Sequence, residues 1–333
     1  MNIIGKMKKG RVSKKFESKN LAEDLEDGPI VKKKIATVKR KGKESKVVDE
    51  GDDDTIGTFQ QTVRCSLREV IDAAKLLKDP HGKIVQAAGF GCVFEWVLDG
   101  NVSRPLACVL LMRMETTTMK IDCGAGKVVF VNRESVHHVF GFPMGGETVP
   151  RPSDTGHDAA LAKLKAELGF ASNVSIETKH LRKLLQSFVE DDTKVHEAVK
   201  VFFAILFNKL ICPGSALRIG REAAMLVDMD YDKMARSDFC QLVVDEVKRA
   251  AEKYQDTDIP QAGPEGCVVL PVVQYLDSCL SRKHSVMHRR TPRANFLYQK
   301  KLKSIYMEDR IRNGRNDLSK YIIGKLPVSE LFF

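Results

Sequence analysis

The side chains best suited to chemistry in this chain are a lysine behind a glycine turn, a cysteine between Asp and Gly, and a pair of adjacent histidines. Gly124-Ala125-Gly126-Lys127 has the composition of a phosphate loop, in which backbone amides and a lysine gather around phosphate oxygens. That pattern also needs a glycine upstream and a hydroxyl after the lysine, and Ile121 and Val128 stand in those places. A hairpin turn is the expected reading. Asp122-Cys123-Gly124 could present a thiolate, a nucleophile that needs a histidine base and an oxyanion donor beside it. Upstream, where the donor belongs, the chain has Thr116, Thr117 and Thr118, so a buried or hairpin-edge thiol is expected. His137 and His138 are sequence neighbours, and neighbours on a helix point about 100° apart, which prevents joint chelation of one ion.

The other polar candidates are scattered. His81, His157, His180, His196, His284 and His288 have no carboxylate or serine at a diagnostic spacing. The cysteines, Cys65, Cys92, Cys108, Cys123, Cys212, Cys240, Cys267 and Cys279, include no C-x-x-C pair and sit mostly among apolar neighbours. They read as reduced core residues of an intracellular protein. Nothing identifies a Schiff-base lysine with a phosphate cup. No catalytic, cofactor-binding or metal-binding residues are therefore expected.

The elements that must position any site are mainly helical. Ser66 with Glu69 is a capping box opening a helix through Leu77; Asp79-Pro80 opens another that ends at Gly89, and Arg104 to Met114 reads as a third. Thr116 to Ile121, the glycine turn and Val128 to Val131 form a β-hairpin. Asn132 then caps a short helix that buries Val136, Val139 and Phe140 and ends at Gly141 and Pro143. Further helices are expected over 157–168, 177–189, 193–211, 238–254, 266–281 and 294–311, with Ser175 and Asp192 as caps of the second and third. Apolar on nearly every side from Val199 to Ile211, the 193–211 helix marks the centre of the bundle. Asp256 to Gly266, with Pro260, Gly263 and Pro264, reads as the longest surface loop.

The order strand, polar cap, short helix and Phe140-Gly141-Phe142-Pro143-Met144-Gly145-Gly146 resembles the plant mobile domain family, also labelled aminotransferase-like and found in plant transposable elements and genes derived from them. Val201 to Ser215, the Arg64-Cys65-Ser66 start with Gly89-Phe90-Gly91, and Val268 to Asp277 extend the resemblance over roughly Arg64 to Arg310. It is closest to grass transposon-type members that precede a SUMO-protease-like cysteine protease. Phe140, Gly141, Phe142, Pro143, Gly145 and Gly146 would then be the family's fold motif. The resemblance implies a non-catalytic, transposon-derived nuclear module that binds protein or nucleic acid. The competing implication is the front module of a protease polyprotein that lacks its catalytic domain.

Charge refines that picture. The chain has 333 residues and a net charge of +10, yet residues 1–48 alone hold +9 and Arg282 to Arg315 another +9, leaving an acidic middle at −8. Residues 1–58 are rich in Lys, Glu and Asp, have few aromatics, and read as a disordered basic tail. Its clusters Lys32, Lys33, Lys34 and Lys39, Arg40, Lys41, Lys43 suit an extended peptide read by a nuclear import receptor, against the plainer reading of a solvating tail. In the second basic stretch Arg289, Arg290, Arg293, Lys300, Lys301 and Lys303 are candidate nucleic-acid contacts, against a merely solvated face. No apolar run approaches the about 20 residues of a membrane span, and the N-terminus lacks an apolar signal core. The expectation is a mainly α protein: a tail over 1–58, one helical domain with a small hairpin over 59–311, and a C-terminal extension over 312–333. It would reside in the nucleus, with an import receptor, unknown proteins and nucleic acid as partners, and no membrane.

Overall fold

Capping and turn residues set most element boundaries. The computed structural model describes residues 64–100, 103–124, 126–151, 156–214, 218–256, 264–281, 290–310 and 323–328. Ser66 Oγ accepts the Glu69 amide at 3.4 Å and starts α1 (Leu67–Ala74). Next, α2 (Asp79–Ala87) has Pro80 in its first turn, and His81 Nδ1 accepts the Lys78 amide at 3.2 Å. A 3-10 turn, Gly91–Glu95, leads to α3 (Arg104–Met112), capped by Ser103.

The expected hairpin is a three-stranded antiparallel sheet, β1 (Met114–Glu115), β2 (Lys120–Gly124) and β3 (Lys127–Phe130), in the order β1-β2-β3. Ile121 faces Met114 on one side and Val129 on the other. Thr116 to Thr118, expected as strand, form the turn before β2. Thr118 Oγ1 donates to Glu115 at 2.8 Å, one of the local bonds by which threonine favours turns over ladders. The third helix stops two residues short of Met114 because Met114 and Glu115 are taken into the sheet.

Asn132 Oδ1 accepts the Ser135 amide at 2.8 Å and opens α4 (Arg133–Phe140), which ends on Gly141 at φ +76°. Beyond it lie α5 (Gly156–Glu167) and α6 (Thr178–Val189). The α6 cap is Glu177 rather than Ser175, with His180 Nδ1 accepting the Glu177 amide at 3.3 Å. Asp191, not Asp192, caps the 3-10 turn Asp192–Lys194, from which α7 (Val195–Leu206) runs into a π-turn, Phe207–Ile211. Two short helices that the periodicity does not announce, α8 (Arg221–Val227) and α9 (Tyr231–Arg236), precede α10 (Phe239–Gln255). Then come α11 (Val269–Ser278) and α12 (Gln299–Asp309).

Every residue from Val201 to Cys212 is buried, and α7 packs against α1, α2, α6 and α8. Around it, Phe90, Phe142, Phe203, Phe207 and Phe239 form one ring cluster; Phe90 and Phe239 lie 5.0 Å apart edge to face, and Phe207 and Phe239 stack at 5.7 Å. Each such side chain contributes about 1.5–3 kcal/mol through burial, with about 0.5–1.5 kcal/mol more for a favourable ring pair. Residues 323–328 also belong to the packed unit. Asp309 accepts the amides of Gly324 at 3.1 Å and Leu326 at 2.8 Å, Lys127 Nζ donates to the carbonyls of both, and Leu280 donates to Pro327 at 2.7 Å.

Candidate nucleic-acid interface

Helical periodicity sorts α12 into two faces. Leu302, Ile305, Tyr306 and Asp309 are buried, while Lys300, Lys303 and Met307, at i, i+3 and i+7, are exposed and Lys301 is half-buried. The approach to the helix adds aromatic surface. Leu297 is fully buried and anchors the chain, leaving Tyr298 60% and Phe296 37% exposed. Phe296 carries the Arg290 guanidinium over its ring, 5.6 Å from the centroid. Exposed cations and aromatics thus follow one another over 290–303, with Arg290 over Phe296 and Lys300 and Lys303 one turn apart on α12.

A buried ion pair fixes this surface to the core. Arg293 is only 2% exposed; its Nε and Nη2 donate to the two oxygens of Asp277, at 2.6 and 2.9 Å. This corrects the assignment of Arg293 to nucleic-acid contact: its fork is spent on a carboxylate in the interior, where no phosphate reaches it. It acts instead as a post for the neighbouring exposed cation, because Nη1 donates to the Arg290 carbonyl at 3.0 Å. The same turn is held by Ala294, whose carbonyl accepts the amides of Val97 at 2.9 Å and Leu98 at 3.1 Å, and by Asn295, which donates to Glu95 at 2.7 Å.

The motif around Gly141 buttresses the turn from behind. A Cβ on Gly141 would lie 2.7 Å from Pro292 Cγ, so the positive φ and the close approach both call for glycine there. Phe140 and Phe142 are buried with centroids 5.3 Å apart, and Trp96 Nε1 donates to the Phe140 carbonyl at 3.1 Å. Pro143 packs at Gly89, and a Cβ on Gly145 would fall 1.9 Å from the Arg236 carbonyl oxygen; Gly146 faces open space. All but Gly146 of these residues are tied to packing. At the far end of α12, the buried Tyr275 hydroxyl donates to Asp309 at 2.5 Å, and burial raises its pKa.

The remaining chemical candidates fall elsewhere. Cys123 is fully buried in β2, its thiol directed at the Ile121 carbonyl at 3.6 Å, and burial, reinforced by Asp122, pushes its pKa up to about 12. Cys92 and Cys240 are pushed up to about 12 for the same first reason. His81 and His180 serve as backbone caps, and His137 Nδ1 pairs with the Phe142 carbonyl at 2.8 Å, which makes that nitrogen the protonated one. A cleft of about 590 Å³ between α5, α7 and α9 is lined by Glu167, His196, Lys200, Asp228 and Tyr231. Much of its charge is spent internally, since Lys200 pairs with Glu167 at 2.7 Å and Lys163 with Asp228 at 2.6 Å. Among the described residues, no three His, Cys, Asp or Glu side chains gather as metal ligands, and no helix is long and apolar enough to cross a membrane.

Lys32, Lys33, Lys34, Lys39, Arg40, Lys41, Lys43 and Arg289 lie outside the described residues. Tyr298 carries no charge, and its only signal in the sequence is that of an aromatic just ahead of a lysine-rich helix start.

Fold and surface together define a mainly helical domain with a small antiparallel sheet and a basic, aromatic rim. A family model described as "Domain of unknown function (DUF8566)" matches residues 63–271, and the chain belongs to that family. No curated protein and no solved structure matches it. The rim at 290–303 lies beyond the matched span.

Proposed function

We propose that this protein is a non-catalytic nuclear binding module that contacts nucleic acid through Arg290, Lys300, Lys301 and Lys303. The observation that carries the reading is the run of exposed cations and aromatics over 290–303, tied to the core by the Arg293–Asp277 pair. Such a surface attracts phosphate backbones and adds little base preference of its own. The high thiol pKa of Cys123 and its burial support the non-catalytic part, because a thiol there supplies no thiolate near neutral pH. Kinship with plant-mobile-type, transposon-derived proteins and import through the clusters at Lys32 and Lys39 belong to the same proposal and rest on the sequence.

The test is fluorescence anisotropy of a labelled oligonucleotide against the full chain over a salt series. Wild type is expected to bind at low salt and weaken steeply as salt rises. Joint replacement of Arg290, Lys300 and Lys303 by Gln is expected to flatten the log–log salt slope by about 2 to 3, at about 0.7–0.9 for each lost phosphate contact. Binding that survives the triple substitution unchanged would belong to the basic tail and remove the surface from the account.

A further inference from the structure

We propose that the rim at Phe296 to Lys303 recognises single-stranded rather than duplex nucleic acid, with Tyr298 as the platform on which a base stacks; this rests on the nucleic-acid reading above. Tyr298 exposes 60% of its surface although both residues beside it in the chain are placed otherwise, Leu297 fully buried and Gln299 opening α12. Its side chain makes no capping hydrogen bond to the helix it precedes. The backbone carrying this exposed ring is anchored by buried Leu297 beside it and by the Arg293–Asp277 pair upstream, so a planar partner has to order only the side chain.

The neighbours favour the same partner. Two residues before Tyr298, Phe296 is 37% exposed with the Arg290 guanidinium lying over its ring, so a cation and a second aromatic lie close by in the chain. Lys300 and Lys303, one helical turn apart on the exposed face of α12, supply charge for the phosphates that flank a stacked base. Aromatic plates interleaved with cations match a single strand, whose bases offer free faces; a duplex keeps those faces within its own stack and offers only phosphates. Duplex binding would use the lysines and leave Tyr298 idle. The division of labour is therefore distinguishable.

The experiment compares affinities of the full chain for an oligonucleotide of about 16 nucleotides, single-stranded and as its duplex, over one shared salt series. Wild type is expected to prefer the single strand. Tyr298→Ala should weaken single-strand binding about tenfold and leave the duplex value and the salt slope unchanged, while Tyr298→Phe should retain wild-type affinity. Lys300→Gln with Lys303→Gln should weaken both forms. Equal binding of both forms with no effect of Tyr298→Ala would overturn the stacking inference and leave the electrostatic one standing. Absence of oligonucleotide binding at low salt, including the case where vesicles containing anionic phospholipid bind instead, would overturn both.

Discussion

Arg293 shows how one residue's meaning turns on burial. From sequence it is one cation in a +9 stretch; in the fold it sits 2% exposed with its guanidinium paired to Asp277. Arg293→Ala leaves that carboxylate buried and alone, and is expected to cost about 3–5 kcal/mol in a urea unfolding titration. A surface phosphate contact would instead lose affinity and keep stability. Lys209 is a second buried cation, 7% exposed in the middle of the π-turn, and burial lowers its pKa from 10.5. A folded value below the unfolded one makes the charged form a liability at neutral pH. That liability is relieved as pH rises through the folded pKa and is gone above about 10.5. Lys209→Met should therefore melt at a higher temperature than wild type at pH 7, with the gap closing as pH is raised.

Elements were legible where one residue decides a boundary. Asn132, Ser66 and Gly141 announce their caps directly, because each offers a side-chain acceptor or a left-handed backbone that few alternatives supply. Boundaries settled by competition were less legible. Ser175 lost the α6 cap to Glu177 through a histidine that reaches back to the amide, and Thr116 to Thr118 went to a turn because Glu115 gathers two of their hydroxyls. The short helices α8 and α9 lack the length over which periodicity becomes visible. The central position of α7 was fully legible from its all-round apolar surface. Phe203 touches the rings of Phe90 at 5.5 Å, Phe207 at 5.5 Å and Tyr231 at 5.7 Å. An Asp there has no partner, so Phe203→Asp is expected to abolish cooperative thermal unfolding, the cost exceeding about 4 kcal/mol. A normal melt would displace α7 from the centre.

At the scale of the whole molecule, two basic regions flank an acidic middle, and they differ in how they can be read. In the proposed reading the clusters at Lys32, Lys33, Lys34 and Lys39, Arg40, Lys41 would be read as linear signals, whereas the rim on α12 would be read as a shaped surface. Replacing those six residues by Ala should move a fluorescent fusion too large for passive entry out of the nucleus, while replacing Arg290, Lys300 and Lys303 should leave it inside. The candidate site was half legible: its charge was plain in composition, but which cations face water depended on the Asp277 partner sixteen residues before Arg293 in the chain, and which aromatics do depended on Leu297 taking the core position. The central claim is that nucleic acid lies on this rim. Photo-crosslinking the full chain to an oligonucleotide carrying a photoreactive base, then mapping modified peptides by mass spectrometry, tests it most directly. Adducts in the peptides spanning 290–310, centred on Tyr298, are the predicted result; adducts confined to other segments, with none at 290–310, would contradict it.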